Sequence, residues 1–263
     1  MAIDAKELKQ PDEFVTVTRG FFEAFIQKKQ VWGSGLALFV VMTVGGIFYF
    51  NRQTELREKA QDAYFQALLK LDQERKPLIE AEQKKLPKPA ITQDAKAPPA
   101  PDAISPEETV KYKKLDVQKT YVQGVPALLS VAESFKGTRS AFHAYQKLAQ
   151  LYYDHGQPEQ AVPFYEKAID SAPTEFERAM MMTALAATHE DLKQHPQAIN
   201  WLEKASRVDD KNLPRADIFM AIARNQESLK DVNGARSTYD RIMMELPHAP
   251  QAQTAQILKA RLK

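Results

Sequence analysis

The chain has 263 residues, with 36 basic and 34 acidic side chains, a net charge of +2, nine glycines and no cysteine. So even a balance gives no case for a nucleic-acid binder. The missing cysteine excludes disulfides, a thiol nucleophile, thiolate metal ligation and the lipidated cysteine of a bacterial lipoprotein. The length allows one or two soluble domains beside any membrane segment.

Residues 1–30 read as a short tail. Phe14, Val17, Phe21, Phe22, Phe25 and Ile26 fall on one helical face, and Pro11, Asp12 and Glu13 suit a first turn. Two readings stay open: a helix lying on the inner membrane surface, or an extension of the segment that follows.

That segment, 31–50, holds no charged residue, Asn, Gln, His or Pro. As a helix it would span roughly 30 Å, the thickness of a bilayer's hydrocarbon core. Lys28 and Lys29 close one end and Asn51 and Arg52 the other, while Trp32 and Tyr49 stand where an aromatic belt would lie. Gly33 and Ala37 form a small-xxx-small pair. A cleaved signal peptide would need a shorter apolar core and a small-residue cleavage site. The expectation is one permanent transmembrane helix. Basic residues tie on the two sides (Arg19, Lys28 and Lys29 against Arg52, Arg57 and Lys59), but Lys28 and Lys29 lie nearer their edge, which tilts the N-terminus inward.

In 51–86, Leu56, Ala60, Ala63, Tyr64, Ala67, Leu68 and Leu71 repeat at three- and four-residue steps. This predicts an amphipathic helix continuing from the anchor and stopping near Pro77. The stretch 87–106 carries six prolines (Pro87, Pro89, Pro98, Pro99, Pro101 and Pro106) and reads as a linker. Extended, it could reach roughly 60 Å; a proline-motif ligand is the lesser alternative. Ser105, Pro106, Glu107 and Glu108 then have the cap, first-turn proline and first-turn acids of a helix start.

The region 107–263 repeats itself. Tyr145, Leu148, Ala149, Tyr152, Ala161, Tyr165, Ala168 and Pro173 have the spacing of a tetratricopeptide repeat. A step of 37 leads to Met182, Leu185, Ala186, His189, Ala198, Leu202, Ala205 and Asp210. A second step leads to Phe219, Ile222, Ala223, Gln226, Ala235, Tyr239, Ile242 and Pro247. The step exceeds the usual 34 of such repeats, and the extra residues fall between units. Three repeats follow, at about 142–175, 179–212 and 216–249, with a closing helix at 249–263. Residues 125–136 fit the second helix of a preceding, incomplete unit. The fold class is therefore all-α: a transmembrane helix followed by an α-solenoid. One helix pair cannot bury its own apolar stripe, so stacked pairs share a core.

No catalytic constellation, metal site or cofactor motif emerges. His143, His155, His189, His195 and His248 lack ligand spacing, and His189 stands at a core position. The clusters Met180, Met181, Met182 and Met243, Met244 fit helix core better than a plastic binding surface. The chain reads as a binder, not an enzyme, with no small-molecule substrate. In such repeats the first helices line the concave face. Residues there that do not serve the shared core are His143, Gln146, Gln150, Tyr153, Thr183, Ala187, Glu190, Met220, Arg224 and Glu227. They form the expected protein-binding groove, with Tyr153 and Arg224 as the contacts that matter most. Gln146 and Gln150 stand where Lys and Asn would clamp a terminal carboxylate in some repeats of this type, so that specialised mode is not expected here.

The layout resembles the YfgM family, tetratricopeptide ancillary subunits of the SecYEG translocon. The shared order is the Phe21-Phe22 tail, one anchor, a helix with Ala63-Tyr64 and Ala67, a short helix with Ala132 to Phe135, and repeats opening at Ala144–Leu151. The proline-rich insert departs from it. The resemblance implies a bacterial inner-membrane protein with a cytoplasmic tail and periplasmic repeats. Its implied partners are the translocon, a membrane-anchored periplasmic chaperone of the prolyl-isomerase type and newly exported client chains. A cell-envelope scaffold for division or outer-membrane assembly, and a cytosol-facing regulatory anchor, are the other classes left open.

Overall fold

The computed structural model describes residues 29–85, 105–111 and 113–262, with side chains from Phe39 onward except Pro106. The tail 1–28 and residues 86–104 of the proline-rich region lie outside them, as do the side chains of Trp32, Gly33 and Ala37. Every described element is a helix, and no strand occurs among the described residues. They run α1 (Lys29–Gln83), α2 (Pro106–Lys111), α3 (Val117–Thr120), α4 (Gly124–Ser134), α5 (Arg139–Asp154), α6 (Pro158–Ser171), α7 (Glu175–Asp191), α8 (His195–Ser206), α9 (Arg215–Ser228), α10 (Val232–Glu245) and α11 (Pro250–Arg261).

The chain divides into two units, Met1–Glu55 and Leu56–Lys263. In the first, Phe39, Val40, Val41, Met42, Val44, Ile47, Phe48, Tyr49 and Phe50 are all exposed on α1. Among the described residues no helix is long and apolar enough to cross a membrane. Of the expected span 31–50, the side chains of 31–38 lie outside the described residues.

The second unit is a stack of helix pairs. Burial follows the step of 37. Leu148, Leu185 and Ile222 are buried at one register position, Ala149, Ala186 and Ala223 at the next, and Ala161, Ala198 and Ala235 where the second helix meets the first. Small side chains there let the backbones approach, and Tyr165, Leu202 and Tyr239 fill the space beside them. The pairs are α5 with α6, α7 with α8 and α9 with α10, and α11 covers the last apolar face by placing Ala255 into the same core.

The turns inside the pairs repeat as well. Gly156, Lys193 and Lys230 all have positive φ, at 74°, 61° and 62°. At each, the N–H bonds back to the carbonyl three residues earlier (Tyr153, Glu190 and Glu227). The next N–H reaches the carbonyl five residues before it (Tyr152, His189 and Gln226). These are three Schellman caps in register, satisfying carbonyls at the helix ends. Helix starts are capped by Thr138 on α5, Thr174 on α7 and Asp231 on α10, each accepting from the N–H three residues on.

Three features depart from sequence expectation. The helix does not stop near Pro77: α1 runs to Gln83 with Pro77 inside it. The lost hydrogen bond is offset by tertiary ties beyond it, including Glu82 to Lys113 at 2.8 Å. The incomplete unit before the first repeat also has a first helix, because Ala67 and Leu71 of α1 enter the core shared with Leu128 and Val131 of α4. The approach is so close that a Cβ on Gly124 would lie 2.9 Å from the Leu71 Cα. Glu74 seals the contact by accepting from the Gln123 N–H at 2.7 Å and the Gly124 N–H at 2.9 Å, a carboxylate at a helix N-terminus. Finally, the flanks of the proline-rich stretch meet. Lys113 pairs with Glu82, and the Arg75 Nη2 donates to the Glu107 carbonyl at 3.0 Å. The residues on either side of the stretch are held together, so it does not set a distance between them of the roughly 60 Å its length would allow.

Candidate protein-binding face

The ten residues expected to line the groove all lie on the first helices α5, α7 and α9. Several are tied to neighbours rather than standing apart. The Tyr153 hydroxyl donates to Asp191 Oδ2 at 2.6 Å, joining α5 to the end of α7. Burial and that acceptor both push the Tyr153 phenol well above its ordinary range. Arg224 Nε donates to Glu190 Oε1 at 2.6 Å and Nη2 to Oε2 at 2.9 Å, joining α9 to α7. Asn225 adds a third donor to Glu190 at 3.0 Å. Its hydrogen bond from Arg224, ahead of the opposing effect of burial, holds the Glu190 carboxyl below the usual carboxylate range. Glu227 accepts from the Tyr239 hydroxyl of α10.

The remainder are placed differently. His143 Nδ1 lies 3.3 Å from Gln146 Oε1, and the His143 ring packs on Tyr64 and Phe142. The Thr183 hydroxyl donates to the Ala179 carbonyl of its own helix. Ala187 is exposed, and Met220 is half-buried against the core. Gln150 is exposed and lines a cavity of about 270 Å³ with Arg75, Lys111 and Lys147, where α1, α2 and α5 meet. A further rung, Arg139 to Glu177 at 2.6 Å, links the starts of α5 and α7. At the head of the face, α1 and α5 enclose a cleft of about 670 Å³ lined by Arg57, Gln61, Tyr64, Thr138, Arg139 and His143.

Sequence reasoning missed a buried chain at the end of α5. His155 Nδ1 donates to the Lys113 carbonyl at 2.7 Å, which leaves Nε2 to accept from the Tyr121 hydroxyl at 2.9 Å. Both side chains are buried. Burial pushes the His155 imidazolium down, so the ring is neutral near pH 7. The chain fastens the segment before α4 onto the first repeat. No signal in sequence could pair residues 34 and 42 apart in a loop. Buried His189 bonds to Gln194, a packed histidine. No group of three His, Asp or Glu able to hold a metal occurs among the described residues.

Residues 142–175 match the family model described as tetratricopeptide repeat. No curated protein matches this chain. Two similar solved structures hold the nearly identical TPR-like repeats of a Podosopora anserina kinesin light chain candidate, one of them a point variant. Each is 21% identical with a TM-score of 0.43, covering 55% of this chain and 78% or 79% of its own.

Proposed function

We propose that this protein is a membrane-anchored tetratricopeptide-repeat binder acting as an ancillary subunit beside a protein translocon, its repeats handling newly exported chains with a membrane-bound periplasmic chaperone. The carrying observation is the pairing of two surfaces. Residues Phe39–Phe50 expose apolar side chains all round a helix, which water does not tolerate over such an area. The repeats offer a row of first helices with mixed polar side chains. A helix apolar on every face belongs in lipid or protein, and the uncharged run 31–50 has the length for lipid.

The anchor fixes the protein at the membrane, and stacked pairs present the groove to extended segments of partner chains. Orientation with the N-terminus in the cytoplasm and repeats in the periplasm rests on Lys28 and Lys29 at the inner edge. The test is twofold. A periplasm-dependent reporter fused after Lys263 is active, and mild crosslinking in membranes recovers translocon subunits. Activity of a cytosol-only reporter at that position overturns the exported-client reading. Recovery of division or outer-membrane assembly proteins instead makes the repeats an envelope scaffold.

A further inference from the structure

Charge on the first helices of the repeats is arranged in two borders. Every Asp, Glu and Arg side chain of α5, α7 and α9 is hydrogen-bonded or ion-paired within the chain, and several of these ties join neighbouring helices. Near the helix starts, Arg139 Nη2 donates to Glu177 Oε1 at 2.6 Å, and Gln251 Nε2 of α11 donates to Asp217 Oδ1 at 2.7 Å. Near the helix ends, the acceptors Asp191, Glu190 and Glu227 are taken by Tyr153, Arg224 and Tyr239. The one lysine of the three helices, Lys147, lies in the cavity against α1.

Between the borders runs an uncharged strip. Gln146, Thr183 and Met220 hold one register position on α5, α7 and α9, each a step of 37 from the last. Exposed Ala187 stands one turn further along α7. The Thr183 hydroxyl is spent on its own helix, and Met220 is half-buried, so these two present mainly carbon. The Gln146 carboxamide both donates and accepts, as a peptide group does. A charged side chain entering this strip gives up hydration and meets charges that already have partners. It gains a new pair only by breaking an old one, which leaves the displaced group bare. An uncharged segment bears neither cost.

We propose that the strip formed by Gln146, Thr183, Ala187 and Met220 takes an extended polypeptide segment free of charged side chains, and that the paired borders select against charged ones. The Gln146 amide bonds the segment's backbone, while Ala187 and Met220 touch its small or aliphatic side chains. About eight extended residues at about 3.3 Å each cross three helices set about 8–10 Å apart. That the ligand is a polypeptide rests on the protein-binding reading above; the selection against charge rests on the borders.

The test uses the full chain in lipid nanodiscs and calorimetry with peptides of about eight residues, blocked at both ends. One is built of Ser, Thr, Gln, Val and Leu; the others are the same peptide with two positions changed to Lys or to Glu. The neutral peptide binds, and each charged version binds about tenfold more weakly. Raising salt from about 0.05 M to about 0.5 M changes the neutral peptide's affinity by less than about twofold. Glu190→Gln bares Arg224 and strengthens the Glu peptide about threefold, whereas Arg224→Gln bares Glu190 and strengthens the Lys peptide about threefold. Opposite responses of this kind cannot come from lost folding. A charged peptide that binds the wild type as tightly as the neutral one, steep salt dependence, or no binding of any peptide overturns the proposal. Charged peptides unmoved by both substitutions also overturn it, because the segment then lies elsewhere. Membrane crosslinking of the wild type separates this from the wider reading. Translocon crosslinks without preference for the neutral peptide overturn the charge selection and leave the partner. Preference without translocon crosslinks removes the partner and leaves the strip.

Discussion

Glu190 and Arg224, on successive first helices, are joined fork to fork, with Asn225 as a third donor to the same carboxylate. The pair knits α7 to α9 and also occupies the arginine that sequence reasoning set out as a contact for partners. Arg224 is 61% exposed at its side chain, so water screens the pair. A double-mutant cycle of Glu190→Gln with Arg224→Gln is expected to give a coupling under about 1 kcal/mol. The Glu190 carboxyl is held low in the folded state, so its contribution is present near neutral pH and is lost as pH falls below the ordinary carboxylate value. Tyr153→Ala combined with Arg224→Ala should then cost about 1–3 kcal/mol without unfolding the chain, because Tyr153 packs against the core and ties to Asp191. Loss of partner crosslinks in that variant would report on the face, and a collapse of melting temperature would show the pair to be structural.

Gly124 sits where α4 meets α1, with no room for a methyl group. The contact is with the Leu71 backbone, which cannot swing aside. Gly124→Ala is therefore expected to cost about 1–3 kcal/mol, the range of overpacked cores. Measured by thermal unfolding of the full chain, a loss of that size confirms that Leu56–Gln83 serves as the first helix of the leading pair. An unchanged midpoint would detach α1 from the solenoid.

What could be read in advance followed local rules. The repeat register and the cap at Ser105 are patterns within a few residues, and Gly137 and Thr138 obey the same kind of local rule. The structure has Thr138 and Ser105 accepting from N–H groups, and Gly137 at positive φ. The join of α1 to α4 was out of reach because about forty residues, half of them proline-rich linker, intervene between Gln83 and Gly124. The ties from Tyr153, Glu190 and Glu227 were equally hidden. Spacing on one helix places a side chain on a face, but the partner depends on how the next helix is rotated. The cationic cavity needs Arg75, Lys111 and Lys147 from three elements, and no periodicity links them.

The three Schellman caps are not equally comfortable. The first uses Gly156, whereas the second and third force Lys193 and Lys230 into the left-handed region. An L-residue with a Cβ pays roughly 1 kcal/mol there, and glycine relieves it at some cost in unfolded-state entropy. Lys193→Gly and Lys230→Gly should each raise stability by about 0.5–1 kcal/mol, and Gly156→Ala should lower it by at least as much. Denaturant midpoints at constant slope would check this. Glycine at 193 or 230 without gain would mean that the lysine side chains contribute something the turn geometry does not reveal.

Ala161 and Ala198 are fully buried at the crossing of first and second helices. Ala161→Leu adds volume where the backbones are closest, and is expected to cost about 1–3 kcal/mol. The exposed neighbour Gln160 serves as the control: Gln160→Leu should leave the melting temperature nearly unchanged. Equal effects at 160 and 161 would show the register of the pair to be wrong.

The last prediction turns on His155. Its ring is buried, donates from Nδ1 to the Lys113 carbonyl and accepts the Tyr121 hydroxyl at Nε2, so protonation at Nε2 would reverse the second bond, with Tyr121 turned to accept, and place a charge in the core. Around it stand Asp154, whose carboxyl burial pushes up, and the cations Arg75, Lys111 and Lys147. Burial dominates and holds the folded His155 below its unfolded value. The unfolded chain therefore binds a proton at about pH 6.5 while the folded chain does not. Between that pH and the lower folded value, the unfolded state gains protons, so stability falls as pH falls. Melting temperature should decline from about pH 7.5 to about pH 5.5, above the range where ordinary carboxylates titrate. His155→Asn should be less stable near neutrality yet show a shallower decline over the same interval. Tyr121→Phe should cost about 1 kcal/mol by removing the hydrogen bond, while keeping the pH dependence because the imidazole remains buried. A decline of equal steepness in His155→Asn would assign the titration to another group.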